Sequence, residues 1–184
     1  MLKTYLESQG KKVFYFHAVD FSLANKIFFW KHKQNKKTDT GITQSSRFQI
    51  FLRKLFLRLD IWRFDLLQNK LRKDGYDYIL SDRFFDDSII NINYLEEKNR
   101  NLEFPPEINK TPPKNIIKNS IIIYLQTNPE IIIQRKRKPE QGFQYLLDKK
   151  KLYDQHFRNI QKAKIIDGNR TQEEIFEKIQ NSLA

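Results

Sequence analysis

Two clusters of charged residues have the types and spacing to handle a phosphate. The first closes the stretch YILSDRFFDDS, residues 78 to 88, where an apolar run stops abruptly on Asp82 and Arg83. An arginine in such a place can grip a phosphate with two parallel hydrogen bonds, and an aspartate beside it can hold a Mg²⁺-bound water or orient the arginine. The same pair can instead cap the following helix and leave the arginine in water. The second cluster is RKRKPEQG, residues 135 to 142, which opens with four consecutive cations. Its Arg135 and Arg137 could close over phosphates as part of a lid, or the run could be a solvated face.

The elements that would position these residues alternate. Leu2, Tyr5 and Leu6 mark one face of a helix that stops at Gly10, and VFYFHAV then reads as a buried strand. A short helix over 23 to 32 leads into the polar break KQNKKTDTGI. From about Ser45 to Lys73 the spacing of Phe48, Phe51, Leu55, Phe56, Leu59, Trp62 and Leu66 predicts a long helix with its apolar face in the core. Gly75 ends it, and YDYILS is the second strand. SIININYLEEKN continues as helix, EFPPEINKTPPKN is a proline-broken surface loop, and SIIIYLQ is the third strand. A helix follows with Asn128 as cap and Pro129 at its first position, and FQYLLDKKKLYDQHF is the next. AKII is a fourth strand, and Thr171 with Glu174 fits the capping box of a last helix carrying Ile175, Phe176, Ile179 and Leu183.

Strands alternating with helices predict an α/β fold, a three-layer parallel sheet covered by helices on both faces, within a single domain over 1 to 184. Ligands of such sheets bind beyond the carboxyl ends of the strands. The strand-exit residues therefore matter most: His17 and Asp20, Asp82 and Arg83, Thr127, and Asp167 to Arg170. A net charge of +12 favours polyanionic partners such as nucleotides, nucleic acid or an anionic membrane face. No cysteine is present, which excludes disulfides and thiolate chemistry. No apolar run nears the roughly 18 residues that span a bilayer, and no secretory signal opens the chain, so the expected location is cytoplasmic.

In this order the pieces resemble the thymidylate kinase family of P-loop nucleoside monophosphate kinases over nearly the whole chain. SDRFFDDSI is similar to the family's Asp-Arg-Tyr-x-x-Ser-Ser motif at a strand exit. IIIYLQTNPEIIIQRKR is similar to its strand, Pro-Glu helix start and basic lid, and FQYLLDKKKLYDQHF to the helix after the lid. IDGNRTQEEIFEKI is similar to its last strand and helix. The resemblance implies phosphoryl transfer from ATP, with Mg²⁺, to a nucleotide such as dTMP, and a possible homodimer through the long arginine-bearing helix. Arg83 would bind the acceptor phosphate, Asp82 would support the metal or the arginine, and Ser88 matches the motif serine. Arg135 and Arg137 would be lid arginines that stabilise charge on the transferred group. Phe56 would stack on the base, Asp20 stands within HAVDFS where the family has Arg-Glu-Pro-Gly, and Asn169 with Arg170 are the candidates on the cofactor side. Asp60 occupies the place of the family's thymine-reading arginine, with Arg63 nearby, and Asn91 and Ile92 replace the usual tyrosine and glutamine.

The chain contains no Gly-x-x-x-x-Gly-Lys-Ser/Thr run; SQGKKV ends a helix instead of opening one. In the family a strand and phosphate-binding loop precede the helix corresponding to KTYLESQGKK, and that strand is central. The expectation is a domain incomplete at its N-terminus, its central first strand missing, with negligible kinase turnover as it stands. A noncatalytic basic nucleic-acid-binding protein is the competing expectation. The charge suits it, but the aromatics follow core periodicity instead of interleaving with basic residues along one strand face. RFQIFLRKLFLRLDIWRF also has the look of an interfacial helix, which core packing explains more simply. His17, His32 and His156 have no metal-ligand spacing.

Overall fold

The computed structural model describes residues 1–24, 46–98, 120–135 and 141–183. Its chain runs α1 (Leu2–Ser8), β1 (Val13–His17), α2 (Ala18–Phe21), α3 (Arg47–Lys73), β2 (Tyr78–Asp82) and α4 (Phe85–Lys98). It continues as β3 (Ile122–Gln126), α5 (Pro129–Gln134), α6 (Phe143–Arg158), β4 (Ala163–Asp167) and α7 (Gln172–Asn181). The polar break, the proline-rich loop, most of the 23 to 32 helix and Arg137 lie outside the described residues.

The result is a mixed α/β arrangement with two short parallel sheets. β1 pairs with β2, Val13 opposite Tyr78 and His17 opposite Asp82. β3 pairs with β4, Ile122 opposite Ala163 and Gln126 opposite Asp167. Parallel strands need a crossover between them, and the long α3 and the α5–α6 pair lie in the two connections. The start of the first sheet is pinned by Asp77, whose carboxylate accepts the Lys12 N–H at 2.7 Å while its own N–H donates to the Lys12 carbonyl at 2.9 Å.

Helix ends follow the sequence signals. Ser46 caps α3 by accepting the Gln49 N–H at 3.2 Å, and Gln49 returns a bond from its side chain to the Ser46 N–H at 3.0 Å. Thr171 and Glu174 make the same reciprocal box on α7. β1 is shorter than VFYFHAV suggests. The chain turns into α2 after His17, which lays the Phe21 ring 5.8 Å from Phe16 and 6.3 Å from Phe64. Burying that aromatic is worth more than two further strand residues.

Two clusters form the core. One gathers Ile50, Ile90, Leu95, Leu152, Phe157 and Ile160 with Tyr124 and Ala163, so α3, α4, α6 and the second sheet meet there. The other centres on Phe64 and Phe85 beneath the first sheet, with Phe16, Phe21, Ile79 and Phe84 packed around them. Between α4 and α6 a buried His156 Nε2 lies 2.6 Å from Asp86 Oδ1.

The long helix departs from expectation. Its buried face runs through Ile50, Asp60, Phe64 and Leu71. The stripe Phe48, Phe51, Leu55, Leu59, Trp62 and Leu66, expected in the core, is exposed, with Phe48 at 68% and Trp62 at 61%. Spacing alone cannot separate the two faces, because both repeat every three to four residues. Among the described residues no helix is long and apolar enough to cross a membrane.

Phe64 is 2% exposed and its ring meets those of Phe16, Phe21, Phe84 and Phe85. Phe64→Ala is predicted to cost about 3–5 kcal/mol in urea unfolding. Trp62→Ala, on the exposed face of the same helix, is predicted to cost no more than about 0.5 kcal/mol in a dilute monomer.

Candidate phosphate-binding cavity

The carboxyl ends of both sheets open into one cavity of about 880 Å³. Asp82, Arg83 and Phe84 reach it from the end of β2, and Tyr124, Leu125 and Thr127 from β3. α3 adds Arg53, Leu57 and Asp60; α4 adds Asp87, Ser88 and Asn91; α6 adds Tyr145, Lys149, Lys150 and Tyr153. This is where open parallel sheets place their ligands, since strand exits and following helix starts converge there.

Of the residues singled out in the sequence, Asp82, Arg83, Ser88 and Arg135 line this cavity, as do the strand-exit Thr127 and the motif departures Asp60, Asn91 and Ile92. Arg83 has φ of 62°, a left-handed backbone that costs a non-glycine residue about 1–3 kcal/mol. Its carbonyl accepts the Ser81 hydroxyl, which holds the kink. The turn directs the guanidinium to Asp87, one Nη 3.0 Å from Oδ2, with more than half of the Arg83 side chain still exposed. One arm is therefore held by a carboxylate and the remaining donors are open to a ligand. Asp82 receives a hydrogen bond from the Tyr15 hydroxyl at 3.3 Å, and His17 Nε2 lies 3.8 Å from the same oxygen. Burial first, and then Asp82, push the Tyr15 phenol above its ordinary range. Arg135 donates to the Gly168 carbonyl at 3.0 Å, which ties the end of α5 to the exit of β4.

The remaining candidates lie elsewhere. Arg63 does not line the cavity: it donates to Asp60 at 2.7 Å and to the Phe21 carbonyl at 3.0 Å, and its guanidinium lies over the Phe21 ring. Asp60, 2% exposed, also accepts the Leu23 N–H at 2.9 Å. A buried carboxylate in the arginine's place thus draws Arg63 into a structural pairing. Phe56 is half-buried on α3 and does not line the cavity, which Leu57 does. Asp20 is exposed beside His17, 3.7 Å from Nδ1. Asn169 accepts the Asn128 N–H at 2.8 Å and closes the turn after β4 with Asp167, while Arg170 pairs with Asp167 and Glu174. Those contacts shape the β3 and β4 exits outside the cavity lining. Hydrogen bonds from Asn169, backbone first, hold Asp167 below the usual carboxylate range.

The close approach of those two exits needs a glycine. Gly168 donates to the Gln126 carbonyl at 2.8 Å, and a Cβ on it would collide with Thr127 Oγ1.

A bound phosphate would supply the further ligands that a divalent cation needs here. Among the described residues no three His, Asp or Glu side chains gather to hold a metal, and Asp82 offers one carboxylate at the rim. Magnesium bound through a single carboxylate plus substrate phosphates suits that supply.

Sequence inspection did not select Lys149, which is 7% exposed within the cavity wall. Its ammonium bonds the Asn91 side-chain oxygen and lies 5.3 Å from the centre of the Tyr94 ring and 5.8 Å from those of Tyr145 and Tyr153. Periodicity carried the signal: Tyr145, Lys149 and Tyr153 are four residues apart, so one lysine of the KKK run shares the inward stripe. Burial lowers its pKa to about 8; the nearby Asp87 carboxylate works against that shift and the Arg83 guanidinium adds to it. The Tyr145 phenol beside it is pushed up to about 12, chiefly by burial. Behind them Asp154 accepts from Tyr124 at 2.9 Å, Gln126 at 2.8 Å and Lys150 at 2.6 Å. Burial alone would raise Asp154, but those bonds outweigh it and hold its carboxyl low.

Lys149 makes stability depend on pH. Between about 8 and 10.5 the unfolded chain keeps a proton on this lysine that the folded chain has released, so stability rises with pH across that window. Relative to Lys149→Met, the unfolding free energy of the wild type is predicted to climb by about 3 kcal/mol through the window, measured by urea titration. A flat difference would show that the ammonium is not desolvated.

The chain matches no known protein-family model, and a search of curated proteins finds no relative of it.

Proposed function

We propose that the cavity binds a nucleoside monophosphate, and that the protein acts in phosphoryl transfer from ATP to that nucleotide. The observation that carries this is the Arg83 kink. A strained backbone at a strand exit aims an arginine with free donors into a cavity that both sheets open onto. Arg83 would take the acceptor phosphate with two donors, and Arg135 would approach from the far side as α5 ends. Asp82 would share a Mg²⁺ ion brought by the phosphates. Tyr124, Leu125, Tyr145 and Tyr153 give the apolar and aromatic walls a base needs.

In this reading β1–β2 and β3–β4 belong to one three-layer parallel sheet, with β2 and β3 offering their free edges to a strand between them. The exposure of Leu125 at 44% and of Tyr78 at 39% supports it, because strands of complete parallel sheets are covered on both faces. The resemblance drawn from SDRFFDDSI and the basic run at 135 to 138 supports the phosphotransferase chemistry. The exposed stripe of α3 supports the homodimer, since it would lie along the same stripe of a second copy related by a two-fold axis.

Isothermal titration of the chain with dTMP, dUMP, dCMP and dGMP tests the site, with the nucleosides as controls. At least one monophosphate is predicted to bind while its nucleoside does not, and Arg83→Ala is predicted to weaken it about 10- to 100-fold. Salt-sensitive binding of single-stranded DNA, with no monophosphate bound, would replace this reading with the nucleic-acid one. Sedimentation is predicted to show a dimer that Phe51→Glu with Trp62→Glu converts to monomer. Co-sedimentation with anionic vesicles instead would assign the stripe to a membrane surface.

A further inference from the structure

We propose that Lys149 is a second phosphate-binding residue of the cavity, placed to pair its ammonium with a phosphoryl oxygen that enters beside Arg83. This rests on the cavity being a phosphate site, and it adds a residue for which the sequence motifs give no role.

The argument is one of charge and burial. Arg83 is matched by Asp87 at 3.0 Å and Lys150 by Asp154 at 2.6 Å. The buried Asp60 on the α3 wall is occupied by Arg63 and the Leu23 N–H. Arg135 is anchored by a carbonyl. Lys149 is the most deeply buried cation of the cavity wall among the described residues, and the hydrogen bond it makes is to a neutral amide, that of Asn91. A buried ammonium without a carboxylate in contact costs several kcal/mol, and a chain under no demand for it would place an apolar residue there. The three tyrosine rings attract the cation weakly and leave its charge in place.

The cavity supplies what the amide does not, a route for an anion to the ammonium. Arg83 and Asp87 both act electrostatically on Lys149 and on Tyr145, so the turn after β2 and the middle of α6 face one small volume. Around it stand Tyr94 from α4, Tyr145 and Tyr153 from α6 itself, and Arg53 from α3. The β3 side presents Tyr124, whose phenol is tied up with Asp154. A phosphoryl group in that volume would meet Arg83 and Lys149, with Arg53 on the same cavity wall, and one carboxylate, Asp87, already held by Arg83.

Binding is then linked to a proton. Burial holds Lys149 near 8, and a phosphate dianion beside it would raise that value. At a pH near 8 the bound complex therefore carries more protons than the free chain, and binding draws a fraction of a proton from the buffer.

Calorimetric titration of the full chain near pH 8, in two buffers of different ionisation enthalpy, reads this uptake directly. The probes are inorganic phosphate, pyrophosphate and dTMP, with thymidine as the neutral control. The expected result is proton uptake with the phosphate probes, and at least tenfold weaker binding by Lys149→Met. Lys149→Arg, whose guanidinium does not titrate there, is expected to bind within a few-fold of wild type with the uptake lost. Near-ultraviolet circular dichroism checks that both variants keep the wild-type packing. Uptake unchanged in Lys149→Arg, or wild-type affinity in a folded Lys149→Met, overturns the proposal. Phosphate or pyrophosphate binding with Lys149-dependent uptake, but no binding of dTMP, dUMP, dCMP or dGMP, would remove the nucleotide reading and leave this one standing. If neither the inorganic probes nor any of the four monophosphates binds, both fall.

Discussion

The seam between α4 and α6 carries the connection between the two halves of this protein. The strand pairs form separate sheets, so no backbone ladder among the described residues joins β2 to β3. α4 follows directly from β2, while α6 packs on β3 and β4, and the contact of these helices holds the two strand exits to a common cavity. Ile90 and Leu152, both fully buried, fill the seam, and the His156–Asp86 contact fixes its register with one directional bond. Burying an aliphatic pair stabilises without direction, whereas a buried polar contact costs desolvation and is satisfied in one geometry. The apolar pair therefore supplies attraction and the polar pair supplies alignment.

That alignment reaches the cavity through single turns of helix. Asp86 is adjacent to Asp87, which holds Arg83, and one turn further on Asn91 holds Lys149. On α6, His156 lies two turns beyond Lys149. A sliding of the two helices by one residue would part Asn91 from Lys149 and carry the Arg83–Asp87 pair past α6, so the same seam that buries the core sets the spacing of the cations. Stability and site geometry are not separable here.

The sequence made the strand exits legible, because an apolar run that stops on a charged pair is a local signal. Asp82, Arg83 and Thr127 of the strand exits line the cavity, while His17, Asp20 and Asp167 to Arg170 do not; Ser88 and Arg135, from the motif resemblance and the basic run, line it as well. The capping boxes at Ser46 and Thr171 are equally local. What the sequence hid was decided by partners far along the chain. Lys149 looks like one of three lysines until Asn91 and Tyr94 arrive from another helix. Arg63 looks available until Asp60 and the Phe21 carbonyl are placed beside it. The stripe of Phe51, Leu55 and Trp62 repeats at the period of a core face, and periodicity reports that a face is apolar without reporting what covers it.

The same limit explains why the cavity is basic at depth and not only at its rim. A net charge of +12 spread over a surface would require no buried cation, and most lysines among the described residues are exposed. Lys149 sits instead where desolvation opposes its charge, and the tyrosines around it do not neutralise it. Arg83 is held in a left-handed backbone that a glycine would adopt without cost. Two independent penalties, one of solvation and one of conformation, thus fall on two cations that line the same cavity. Stability selects against each, and an anion between them would relieve the first and use the second.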